Sequence, residues 1–236
     1  MKVMPKKWAS LVGTVTEKSL LAALHFAVFT LDGKSGRPAS ELSHKLAVMG
    51  TGAVGGAFGL AAIAAELPVT TVIMFRSIAQ IARSEGENIK ELEAKLACLE
   101  VFALGSNKED DNASETGYFA VRYAMSQAVS EAAKYIAEKG ITKKTAPAIM
   151  RFIASIASRF GIAVSEKTVA QAVPVLGALG GATINTIFMK HFQDMARGHF
   201  IVRRLERRYG RELVQAEYER IRRDIPSLKR RHALKQ

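Results

Sequence analysis

Two polar residues sit where the surrounding sequence is almost wholly apolar. Glu66 ends a run of twenty residues, 46–65, that carries no charge, and Asn185 lies inside a second uncharged run, 168–189. A carboxylate in apolar surroundings needs a cation, a set of donors or a proton. Glu66 and Asn185 are therefore candidates for a ligand or proton site between the two segments, with His191 as a third polar group. The alternative is structural: a helix end at Glu66-Leu67-Pro68 and an interhelical hydrogen bond from Asn185. His191 and Asp194, three residues apart, share one helical face, whereas His199 lies eight beyond His191. Without an HExxH pattern this spacing does not specify a metal site, and the histidines read as surface or interface residues.

Other chemistries find little support. Cys98 is the only cysteine, so neither an internal disulfide nor a cysteine-based zinc site can be built from this chain. With Leu96, Leu99 and Phe102 around it, Cys98 reads as a buried structural thiol. The string GTGAVG at 50–55 matches Gly-x-Gly-x-x-Gly, yet no strand precedes it, and GxxxxGK[ST] and GxSxG are absent. No cofactor is expected.

Glycine and arginine are distributed more tellingly. Gly52 and Gly56, Gly55 and Gly59, and Gly177 and Gly181 are each four apart, with Gly180 beside the last. On a helix such spacing gives a flat face that admits a neighbouring backbone or meets lipid. Within 46–65 only Leu46, Val48, Val54, Phe58, Leu60 and Ile63 promote insertion. At about −0.3 to −0.6 kcal/mol each they supply roughly −2 to −4 kcal/mol, and five glycines oppose them. Autonomous spanning is marginal, and packing or shallow membrane contact is expected instead. The chain's net charge is +12, of which residues 197–236, with 13 Lys/Arg against 5 Asp/Glu, hold +8. Arg203, Arg204, Arg207, Arg208, Arg211, Arg222 and Arg223 with Val202, Leu205 and Tyr209 make a basic amphipathic helix suited to an anionic surface. Glu217 with Arg220 and Glu219 with Arg223 read as intrahelical pairs.

Helices must position these residues. Periodicity predicts a helix over 5–31, buried all round from Ser19 onward, then a loop at 32–38 and a new helix capped by Ser40. A break is expected near 66–68, with a helix starting at Pro68 and stopping at Gly86. Asn88 is expected to cap a helix that runs to Leu104. Residues 105–115 form a polar loop and a candidate subdomain boundary. Helices follow over 116–139, ended by Gly140, and over 145–160, closed by Gly161. Pro174 breaks the second uncharged segment, a helix resumes near Gly177 and runs to Tyr209 with Gly210 as terminator, and a last helix covers 211–225. Residues 226–236 are expected to be a basic, mobile tail. The fold class is all-α: one helical domain over 1–225, a multi-helix bundle around two glycine-rich apolar segments. Because Gly55-Gly56-Ala57 and Gly180-Gly181-Ala182 each precede a terminating glycine by about thirty residues, an internal repeat is one reading.

The segments GAVGGAFGLAAIAAELP at 52–68, followed by IARSEGE at 81–87, and PVLGALGGATINTIFMKHFQDMARGHFIVRRLERRYG at 174–210 resemble, in order and spacing, the two signatures of the EcsC family of bacterial proteins. The resemblance covers about residues 10–210; family members usually carry Asp where this chain has Glu66. It implies a helical fold and, through the transporter gene that neighbours the family's namesake, a membrane setting. It carries over no catalytic residues.

The expected function is non-enzymatic: association with anionic membrane lipid or a membrane complex through glycine-rich apolar and basic surfaces, at the cytoplasmic face. No secretory signal is evident, since Glu17 and Lys18 interrupt the first apolar run. An enzyme or small-ligand protein with a pocket near Glu66, Asn185 and His191 is the second reading, and nucleic-acid binding through the basic C-terminal helices the third.

Overall fold

The computed structural model describes residues 6–30, 63–105, 117–141, 146–171 and 177–233. These hold seven helices and no strand: α1 Lys6–Thr30, α2 Ile63–Ser84, α3 Leu92–Leu104, α4 Gly117–Lys139, α5 Pro147–Gln171, α6 Gly177–Tyr209 and α7 Arg211–Ala233. The chain is all-α, as its periodicity predicts. Gly52, Gly55, Gly56, Gly59, Ser40 and residues 106–116 lie outside the described residues; Gly177, Gly180 and Gly181 fall in the first turns of α6.

α3 is the axis of the bundle. Every residue from Ala94 to Ala103 is buried, and α1, α2, α4, α5 and α6 all pack on it. A helix with apolar residues on every side is stable only when surrounded in this way, and here the charged Lys95 and Glu100 are buried with the rest. One hydrophobic cluster runs from Val12 of α1 to Phe200 of α6. At its centre Phe102, Phe160, Phe188 and Phe192 stack with ring centroids 4.8–6.1 Å apart. Gly105, just past α3, approaches this stack so closely that a Cβ there would lie within 2.9 Å of Phe192 Cδ1. Gly105→Ala should therefore overpack the core and cost about 1–3 kcal/mol, read as a lowered midpoint in thermal unfolding; an unchanged midpoint would show that Phe192 yields freely.

The glycines expected to end helices do so where the backbone requires it. Gly86, Gly140 and Gly210 have φ of 83°, 66° and 87°, a region in which a side chain is strained. Gly161 is different. It stays helical, and α5 continues through it to Gln171, because the buried neighbours Phe160 and Val164 outweigh a glycine penalty of about 1 kcal/mol.

Other expected boundaries also shift. α2 begins at Ile63 and carries Pro68 inside it. In the second turn a proline forfeits only one backbone bond, and Glu66 gains a first-turn position that favours a negative charge. Asn88 does not cap α3: its Oδ1 accepts from the Lys90 amide at 3.3 Å and its amide donates to Glu91 at 2.7 Å, which builds a local turn. Glu91 occupies the cap position without a side-chain bond. α7 passes Pro226 and reaches Ala233, since strong helix formers on both sides compensate for the single missing donor. α1 is amphipathic and not buried all round. His25 and Phe29 are exposed while Leu20, Ala23, Leu24 and Ala27 face the core.

Candidate functional site

α2 and α6 run side by side in the same direction, joined at three levels. Asn185 Nδ2 donates to Glu66 Oε1 at 2.8 Å, Gln193 Nε2 to Ser77 Oγ at 2.9 Å, and Arg203 Nε to Glu87 Oε1 at 2.9 Å. All three rungs link residues 116–119 positions apart in sequence. Buried polar pairs of this kind fix register, because a slip would leave donors and acceptors unpaired. Both helices end at left-handed glycines, Gly86 and Gly210.

The first rung is the candidate site. Lys167, near the end of α5, donates from Nζ to Glu66 Oε1 at 2.8 Å, so one carboxylate oxygen receives both an ammonium and an amide. The Lys167 and Glu66 side chains are 4% and 5% exposed. Burial pulls the Lys167 amine below its usual range, and the Glu66 carboxylate opposes that. The ammonium also lies 5.2 Å from the Phe188 ring centroid, within cation–π range. Glu66 Oε2 is buried without a hydrogen bond. Glu66 and Asn185 are thus brought together, and the interhelical bond expected of Asn185 is made. Lys167 was missed, although it is the last charge before the uncharged run at 168.

His191 is not part of this triad. Its Nε2 donates to the Gly105 carbonyl at 2.7 Å. It borders an open cavity of about 360 Å³ with Lys167, Ile184, Ile187 and Phe188. Lys167 alone belongs to both the cavity wall and the triad. Asp194 is exposed and paired with Lys190 and Arg197, and among the described residues no group of His, Cys, Asp and Glu is arranged to hold a metal ion.

Of the two placements expected for the histidines, surface or interface, His199 takes a buried one between helices. It is 1% exposed, and Tyr118 Oη lies 3.0 Å from its Nδ1. Burial, with the Arg122 and Arg203 charges nearby, holds its pKa well below the ordinary value, so the ring is neutral. Arg122 completes this cluster with a two-point ion pair to Glu206 at 2.7 and 2.8 Å. Sequence spacing gave no hint of a contact spanning 84 residues.

The basic stripe of α6 is largely spoken for. Arg203 and Arg207 both pair with Glu87, Arg204 pairs with Glu85 at 2.6 Å, and Arg207 also reaches the Glu85 carbonyl. Burial raises the pKa of Glu87, but the two guanidiniums override it and hold the carboxyl below its usual range. Arg208 lies over the neighbouring Tyr209 ring. Glu217 pairs with Arg220 as expected, while Arg223 reaches the Glu219 backbone carbonyl and not its carboxylate. Cys98 is fully buried and its thiol pKa is pushed far up by burial.

The family model of the EcsC protein family matches residues 16–205, a span that contains the triad and all three rungs. No curated protein and no solved structure matches the chain. Among the described residues two helices, Ala9–Phe29 and Pro147–Val169, are by length and composition apolar enough to cross a membrane, although 44% and 39% of their apolar windows are buried within the bundle.

Proposed function

Since the chain belongs to the EcsC protein family, and since that membership and its two apolar helices are compatible with a membrane setting, we propose that it is a membrane-associated protein that docks through the end of the bundle holding the Glu66–Lys167–Asn185 triad. One observation carries the reading. Val69, Val169 and Ile187 each lie within three residues of a triad member, on three different helices, and are 50%, 45% and 63% exposed. Of these exposed aliphatic side chains Ile187 also lines the cavity beside Lys167; in this reading the three make up an apolar collar at that end of the bundle, and exposed apolar patches mark membrane or protein contact. The uncharged runs 46–65 and 168–189 adjoin this same end in sequence.

The basic residues sit elsewhere. About 27 Å of α6 separates Asn185 from Arg203 at 1.5 Å per residue, so the apolar and basic surfaces occupy different ends of that helix. Arg208 and Arg211, with the exposed Tyr209, Leu213 and Ile221, provide a second contact for anionic headgroups, of the kind basic amphipathic helices make. Salt separates the two contributions, because attraction between exposed charges is screened within about 8 Å at physiological ionic strength. In vesicle co-sedimentation the protein should bind neutral vesicles and keep that binding in high salt, and Ile187→Asp should abolish it. Binding confined to anionic vesicles at low salt would transfer the membrane contact to α7, and no binding to either would refute the membrane reading. A small-ligand role is supported by the cavity beside Lys167 and His191; saturable ligand binding with no vesicle binding would favour it.

A further inference from the structure

A second, larger cleft lies far along α6 from the collar. It is open, has a volume of about 760 Å³, and runs between α3 and α4 beneath the junction of α6 and α7; small-molecule sites commonly occupy roughly 300–1,000 Å³. Its α3 wall carries Glu91, Glu93 and Glu100, and its other walls carry Arg122, Lys134, Arg203 and Arg211. Glu100 is the anomaly. It is 6% exposed, it lines the cleft, and it makes no hydrogen bond or ion pair among the described residues, where a buried carboxyl normally has a partner. The two guanidiniums that affect it most, Arg122 and Arg203, are committed to Glu206 and Glu87. Arg203 uses Nε and Nη2 for Glu87, which leaves Nη1 available, and among the described residues Arg211 has no carboxylate partner. Of the charged groups acting on Glu100, the cations Arg122, Arg203 and Arg211 outnumber the one anion, Glu206.

We propose that this cleft binds a phosphate-bearing ligand, with Arg203 and Arg211 contacting phosphate oxygens and the carboxyl of Glu100, in its acid form, donating a hydrogen bond to a third. A phosphate group offers acceptors in three directions, as this array of donors requires, whereas a carboxylate offers two oxygens in one plane. Burial lifts the Glu100 carboxyl to about 7, against the lowering effect of the three arginines, so the acid form is available near neutrality and an anion deepens its preference for the proton. Binding then takes up a proton as the pH rises past that value. A free phosphate and a lipid headgroup offer this cleft the same oxygens, and the inference does not depend on docking through the collar.

The test is calorimetric titration of the full chain with inorganic phosphate and with glycerol 3-phosphate, one pH unit below and one above Glu100's value of about 7, for the wild type and for Glu100→Gln. The ligand's own ionisation is common to both proteins and cancels in the comparison. The amide keeps a donor at every pH, so at the higher pH the variant should bind about tenfold more tightly relative to wild type than it does at the lower pH, the ratio expected for one titrating group. Arg211→Ala, an exposed change, should weaken binding at both. Binding to vesicles containing phosphatidic acid but not to free phosphate, kept in Ile187→Asp and showing the same pH-dependent gain in Glu100→Gln, would support the site and identify a lipid headgroup as its ligand. Absence of saturable binding to either source, or equal pH dependence in wild type and Glu100→Gln, would overturn it.

Discussion

Lys167→Met should destabilise the bundle by about 3–5 kcal/mol, the range for removing one partner from a buried ion pair. The methionine fills most of the space, so the loss is not chiefly a cavity effect. It arises because Glu66, 5% exposed along its side chain, loses its ammonium partner and is left in the core with the Asn185 amide. Its other oxygen already has no hydrogen bond. The double variant Glu66→Gln, Lys167→Met should regain most of the loss, because Gln still accepts from Asn185 and no ion remains in the core. Urea unfolding of the wild type, both single variants and the double variant gives the cycle. A neutral Lys167→Met, or strict additivity of the two single changes, would show that the pair is not closed in solution.

The second large effect concerns Glu100 and runs with pH. In the folded chain its carboxyl holds a proton up to about 7, against an ordinary value of 4.5. Between those values the folded state binds more protons than the unfolded state, so Glu100's contribution to stability is complete below about 4.5 and is lost as pH rises to about 7. Glu100→Gln removes that dependence. Its stability relative to wild type should climb across the window at up to about 1.4 kcal/mol per pH unit, for a total of about 3 kcal/mol. Denaturant unfolding over a pH series reads this directly; parallel curves for the two proteins would mean that Glu100 ionises normally in the fold.

Much of the architecture was legible because it rests on local chemistry. Helices end where Gly86, Gly140 and Gly210 adopt a backbone that other residues resist. Prolines and glycines inside long helices misled for the opposite reason. At Pro68 and Gly161 a local penalty of one bond or about 1 kcal/mol is overridden by tertiary packing. Glu66 and Asn185 announced themselves as polar residues in apolar company. Lys167 sat at the edge of the run and did not, although Glu66 needed a cation from somewhere. Glu100, a charge between Leu99 and Val101, lies close to Glu93 and Lys95 in sequence, so no long uncharged run sets it apart as one does Glu66. The commitment of Arg203, Arg204 and Arg207 to Glu85 and Glu87 depends on pairs more than a hundred residues apart, which no periodicity reveals.

The position of the membrane-facing surface decides between the collar and the basic helix. An environment-sensitive fluorophore attached at Ile187→Cys reports on it without interference, since Cys98 is fully buried. A matching label at Leu213→Cys serves as the α7 control. With neutral vesicles in high salt, the label at 187 should shift its emission to the blue and be quenched by bilayer-embedded quenchers, while the label at 213 stays in water. Water-like emission at 187 in the presence of vesicles, whether or not the label at 213 shifts, would contradict docking through the triad end of the bundle.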